Sequence, residues 1–230
     1  MAELRLVKVF VAFAGLVVMS ISPAIAVAAS GTTSPSSVSF RPVLCFATTL
    51  DTLKMPAISS SLSTSPGACA SSYRLSAKNL DVRQTSNTVT GYTMRTIGPD
   101  PQYRNTPDTP TSKIRVNSVA LVSGIKGDGV LERYVVGPAQ LTDSSIKSAK
   151  AEDNSGQWVV AYQLTTSGNE LWNTFVRRQF HQFIAIVADG HAYSVPLIEP
   201  YQSSFTSFAG KGEIGRNFTE TQARDLAALM

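Results

Sequence analysis

The sequence predicts an α+β fold, with helices packed on one face of a mixed or antiparallel sheet. Three observations carry that prediction. Trp158, Val160, Tyr162 and Leu164 alternate along one face of a strand that follows the run Ile146 to Ala151 and the turn Asp153-Asn154-Ser155-Gly156, so 146–164 reads as a β-hairpin. Leu171, Trp172, Phe175, Val176, Gln179 and Phe180 then recur at helical spacing as one wide stripe, apolar except for Gln179. Phe183 to Ala188 is continuous and β-rich, the pattern of a buried central strand. Asp189-Gly190 is a two-residue hairpin turn that sends the chain back through His191 to Val195.

The remaining elements follow in chain order. Phe40 to Phe46 is a short apolar island that reads as a strand between Ser/Thr/Pro-rich stretches. Residues 96–113 hold Pro99, Pro101, Pro107 and Pro110 and read as a loop. Ile114 to Val122 alternates loosely as a strand, Lys126-Gly127-Asp128-Gly129 is a turn, and Leu131 to Val136 is a second strand ended by Gly137-Pro138. Thr142 is placed to cap a single helical turn over Asp143 to Ser145. Ser167 is the expected helix start, Gly210 to Gly215 an edge strand or bulge, and Thr219 with Gln222 a capping box for a last helix through Leu229.

Composition bounds the function. Hydrophobic residues make up 43% and charged residues 16%, enough apolar surface for a core and too little charge for a solvated disordered chain. A net charge of +4 is too mild to argue for nucleic acid. Only Val9 to Ala29 is long and apolar enough to insert in a bilayer. Arg5 and Lys8 precede it, Pro23 interrupts it, and Ala26-Val27-Ala28 ends it with small residues, so it reads as an export signal cleaved between Ala28 and Ala29, or as an uncleaved anchor. Either way the remainder lies outside the cytoplasm, secreted or membrane-anchored. Cys45 and Cys69 then meet an oxidising compartment, and an intramolecular bridge is expected, with two free thiols or an intermolecular bond as the alternatives. The expected organisation is a signal or anchor at 1–28, a Ser/Thr/Pro-rich lead-in with a disulfide loop at 29–112, and an α+β domain at 113–230.

The motifs of common chemistries are missing. His181 ends the amphipathic helix and His191 follows a turn, and no further ligands stand at a metal-binding spacing, so neither a metal nor a cofactor is expected. No G-x-S-x-G or G-x-x-x-x-G-K-[ST] occurs. A secreted hydrolase would need His181 or His191 to converge with a serine and a carboxylate. Tyr201, Phe205 and Phe208 stand among serines and glycines in 196–212, where three aromatics either pack over the sheet or bind.

Residues 131–230 resemble the first extracytoplasmic domain of SecD, the membrane subunit that assists bacterial Sec-dependent export, in its head subdomain. The resemblance rests on Arg133 to Thr142, Trp158-Val159-Val160, Ile184 to Gly190, and Gly215-Arg216-Asn217-Phe218-Thr219 through Ala227. Phe40 to Leu44 also resembles a segment that some SecD proteins carry shortly before the head. It implies a head-like α+β fold of ferredoxin-like flavour and no enzymatic activity. It further implies contact with emerging polypeptide or the Sec translocon, by β-augmentation of an exposed sheet edge or groove. The charged membrane helices that couple SecD to protons have no counterpart here, so proton-driven translocation is not carried over. The alternative is a free-standing extracellular ligand-binding module that reuses the fold, favoured by a pocket lined by Trp158, Tyr162 or Tyr193.

Overall fold

The computed structural model describes residues 38–47, 68–85, 88–94, 97–125 and 132–230. The export segment with its Ala28–Ala29 boundary, and the expected turn at Lys126 to Gly129, lie outside the described residues. The chain runs through β1 (Val38–Ala47), β2 (Leu80–Thr85), β3 (Thr88–Met94), β4 (Ala120–Gly124), β5 (Arg133–Val136) and β6 (Leu141–Thr142). It continues through β7 (Ile146–Asn154), β8 (Gln157–Leu164), α1 (Thr166–Arg178), β9 (Ile184–Ala188), β10 (His191–Ser194), β11 (Lys211–Phe218) and α2 (Glu220–Leu229). The class is α+β, mostly sheet with two helices among the described residues.

The largest sheet closes on itself. β1 pairs antiparallel with β9, β9 with β10, β10 runs parallel to β4, β4 pairs with β5, and β5 returns to β1. Among the described residues these pairings make a five-stranded barrel, with β6 extending the β5 edge along the first half of β1. Its interior is filled by Val43, Val122, Tyr134, Val136, Ala185, Val187 and Ala192, with Leu75 and Ile114 in the same cluster. Side chains alternate along β9, so Ile184, Ile186 and Ala188 face a second core instead. That is why the apolar run is continuous: the strand is buried on both faces. The turn after it is the expected one, with Asp189 at φ 44° and Gly190 at φ 77°, a backbone that glycine adopts without strain.

The second core joins the barrel to the three-stranded sheet and both helices. β7, β8 and β11 form a three-stranded antiparallel sheet in the order β11-β8-β7. Val160, Leu164 and Ile214 from this sheet meet Trp172, Phe175 and Val176 of α1, Ala223 and Leu226 of α2, and Val38 and Phe40 of β1 in one cluster. Phe40 sits edge-on to Trp172 at 5.4 Å. Burying each such side chain contributes about 2–3 kcal/mol. Both helices therefore bury their apolar faces in the cluster that covers one face of β9.

Four local expectations shift. The strand expected over Ile114 to Val122 begins at Ala120, because the buried Arg41 guanidinium gathers backbone carbonyls there. It donates to Arg115 O, Ser118 O and Gly137 O at 2.9–3.0 Å, and Ser118 Oγ closes 115–118 as a turn by accepting from Arg115 N. Burial lowers the pKa of Arg41 to about 10. Thr142 does precede a 3-10 turn, yet its side chain makes no capping bond and instead meets the Ser144 hydroxyl at 2.9 Å. α1 starts at Thr166, one residue before the expected Ser167, with the Thr165 hydroxyl accepting from Gly168 N at 3.0 Å. Leu171, expected on the apolar stripe, is 52% exposed, because the buried face is the narrower stripe of Trp172, Phe175 and Val176. The capping box at Thr219 and Gln222 is formed in both directions.

The described residues within 29–112 contribute more packing than the Ser/Thr/Pro-rich composition of that stretch suggests. β1 is an integral barrel strand, and Cys45 and Cys69 are bridged, with Cα atoms 6.2 Å apart. Both cysteines pack with Tyr103, Leu121 and Val135 in a third cluster outside the barrel. The buried clusters thus draw on both sides of residue 113. A few well-placed apolar residues, contacted from distant parts of the chain, do what average composition does not report.

Candidate functional site

The segment after β10 is a loop built on two supports. Pro196 stops β10, and the chain then runs beside the α1–β9 connection. Ile184 N donates to Pro196 O, Ile198 N to Gln182 O, and His181 N to Ile198 O. Glu199, at φ 43°, turns the chain outward, and its carboxylate accepts from Thr206 N at 3.1 Å. Burial pushes the Glu199 carboxyl up from its ordinary range, against the opposing effect of that hydrogen bond. His181 Nε2 lies 2.9 Å from Gln202 O, and the imidazole is stacked on Phe180.

The three aromatics of this loop separate. Phe208 lies edge-on to Trp172 at 5.9 Å, and Asn173 clasps its backbone, accepting from Phe208 N at 2.7 Å and donating to Phe208 O at 3.1 Å. Phe205 packs 6.3 Å from Phe208, with the Arg177 guanidinium 5.1 Å over its ring. Both phenylalanines are half-buried against the second core. Tyr201 stays 45% exposed and meets Tyr92 of β3 edge-on, with ring centroids 5.0 Å apart. Burial and the neighbouring Tyr201 raise the Tyr92 phenol above its usual range. Tyr92 escaped the sequence reading, because a single tyrosine in a polar hairpin carries no periodic signal and its partner lies far along the chain.

The side chains proposed to line an alternative pocket also separate. Tyr162 borders an open depression of about 510 Å³ on the three-stranded sheet, with Ser148, Lys150, Ala161, Gln163 and Lys211. Trp158 instead lies under the Arg224 guanidinium at 5.6 Å, and Tyr193 packs edge-on to Phe218 at 6.5 Å. Tyr162 itself presses on its cross-strand neighbour Gly212, where a Cβ would stand 2.6 Å from the phenol oxygen. Among the described residues, no three His, Cys, Asp or Glu side chains converge to hold a metal.

Residues 121–230 match the family model of the SecDF P1 head subdomain. This part of the chain is a SecD head subdomain. SecD protein translocase subunits support the assignment: those of Aquifex aeolicus and Sebaldella termitidis are 31% and 33% identical over 91 and 95 residues, 39% and 41% of this chain. The subunit of Endomicrobium trichonymphae is 28% identical over 102 residues, 44% of this chain. The matched stretches cover 17–22% of these relatives, so the chain spans about a fifth of the length of the curated relatives it matches. A crystal structure of SecDF in its super-membrane-facing form is 16% identical with a TM-score of 0.41, over 85% of this chain and 18% of that one. A structure of SecDF, described as a membrane component that enhances protein export, has the same identity and score over 85% of this chain and 62% of that one. The head-subdomain match begins inside β4 at 121, whereas the motifs that carry the resemblance begin at Arg133. β1 and the β2–β3 hairpin with Tyr92 precede it, although β1 completes the barrel and Tyr92 completes the aromatic pair.

Proposed function

We propose that the chain is an exported, non-enzymatic protein that assists Sec-dependent export by holding extended polypeptide on the extracytoplasmic side of the bacterial membrane. It is either secreted or anchored through residues 9–29. The family match supports the link to export, since the relatives are protein translocase subunits. The observation that carries polypeptide binding is Tyr201, a large aromatic left 45% exposed beside Tyr92 while its loop neighbours Phe205 and Phe208 pack inward. Two aromatic rings at an edge-on angle offer apolar faces and hydroxyls to side chains of any unfolded segment, which suits a surface that must accept many sequences.

The test is binding of a fluorescent, reduced and unfolded exported polypeptide. Tyr201→Ala and Tyr92→Ala should each weaken binding about tenfold, the cost of losing one aromatic anchor, with the far-UV circular dichroism unchanged. Binding equal to wild type in both variants overturns the reading. The depression beside Tyr162 favours a second reading, a ligand-binding module that reuses the fold. A small ligand that shifts the NMR signals of Ser148, Gln163 and Lys211 while leaving Tyr201 unmoved would select it.

A further inference from the structure

β7 is nine residues long and forms one margin of the three-stranded sheet; among the described residues its outer edge pairs with no strand. An unpaired edge about 30 Å long is a template for another strand. The pattern on β7 says which strand fits. Lys150 and Glu152 project from the exposed face, with side chains 77% and 45% exposed and Nζ to Oε1 at 3.3 Å. Ala149 and Ala151 alternate with them and face the second core. An antiparallel strand centred opposite Ala151 would have to place an acid across from Lys150 and a base across from Glu152. β7 itself is such a strand. Paired with its own copy about a two-fold axis through Ala151, it sets Lys150 against the second copy's Glu152, and Glu152 against the second copy's Lys150, on the same face. The axis leaves only two alanine methyl groups to meet at the centre.

We propose that this edge is a self-pairing surface, through which two copies of the chain join their three-stranded sheets into one continuous antiparallel sheet. The contact is isologous, so it closes as a dimer and grows no further. The charge order sets the register, because opposite charges across a strand pair are favourable and like charges unfavourable. This rests on the β7 edge and is independent of the Tyr201 surface.

Analytical ultracentrifugation of the full chain tests it. The wild type is expected to show a concentration-dependent dimer. Lys150→Glu places acid against acid, Glu152→Lys places base against base, and each should raise the dimer dissociation constant about tenfold or more. The double exchange Lys150→Glu with Glu152→Lys restores opposite pairs and should return it to within about threefold of wild type. Tyr201→Ala should leave it unchanged. A wild type that stays monomeric overturns the proposal. So does a dimer indifferent to both single reversals, or one whose loss the double exchange does not repair. If unfolded polypeptide binds at β7 to a chain that remains monomeric, the edge serves another occupant and the proposal falls.

Discussion

Glu199 shows how one side chain shapes the candidate surface. It holds a positive φ, is partly buried, and accepts from Thr206 N across the loop that carries Tyr201 and Phe205. Burial raises its pKa in the folded protein, so the folded state binds the proton more tightly than the unfolded chain does. A raised carboxyl pKa makes a contribution that is fully present below the unfolded value and lost as pH rises through the folded one. Glu199→Gln keeps an oxygen for Thr206 N and removes the buried charge. Its urea midpoint should therefore exceed that of the wild type at pH 7, and the gap should close by about pH 4, at the ordinary carboxyl pKa. A variant less stable at pH 7 than at pH 4, relative to wild type, would show that the charge itself holds the loop.

At the scale of elements, α1 positions the loop. Its inner face is fastened by Trp172, Phe175 and Val176, and its side face offers Asn173 to the loop backbone. Asn173 also donates to Asn169 O and Asn169 Oδ1, so the amide is already oriented before it meets Phe208. Asn173→Ala removes both halves of the clasp at Phe208 and should cost about 1–2 kcal/mol. In hydrogen exchange, the Phe208 amide should lose protection while β9 amides keep theirs, because the strand is held from both sides within the barrel. Equal acceleration in both would mean that the loop and the barrel open as one unit.

The whole molecule depends on joining distant segments. The Cys45–Cys69 bridge ties a barrel strand to a segment 24 residues further on, within a cluster that also holds Tyr103, Leu121 and Val135. Closing a loop of that length contributes about 3 kcal/mol on the chain-entropy model. Replacing both cysteines by alanine should lower unfolding stability by roughly that amount, read from the shift in urea midpoint with near-UV circular dichroism retained. A loss of near-UV signal before unfolding would show that the bridge also holds the barrel's packing.

Local pattern was enough for those elements whose signal lies within a few residues. The β7–β8 hairpin, the Asp189-Gly190 turn, the doubly buried β9 and the capping box at Thr219 all follow from alternation, turn chemistry or capping geometry, which act at short range. The start of β4 was misread because Arg41, far back in the chain, draws the carbonyls of Arg115 and Ser118 into a turn. Leu171 was misread because spacing marks a wide stripe, while the width actually covered depends on what packs against it. The sequence named Tyr201, Phe205 and Phe208 together. Only the packing of α1 and β3 around the loop sorted them, turning the two phenylalanines inward and leaving Tyr201 outside with Tyr92. Barrel closure was equally invisible, since it depends on β1 reaching β5 and β9 at once. Hydrogen-bond partners separated by so much chain leave no periodic trace in either strand.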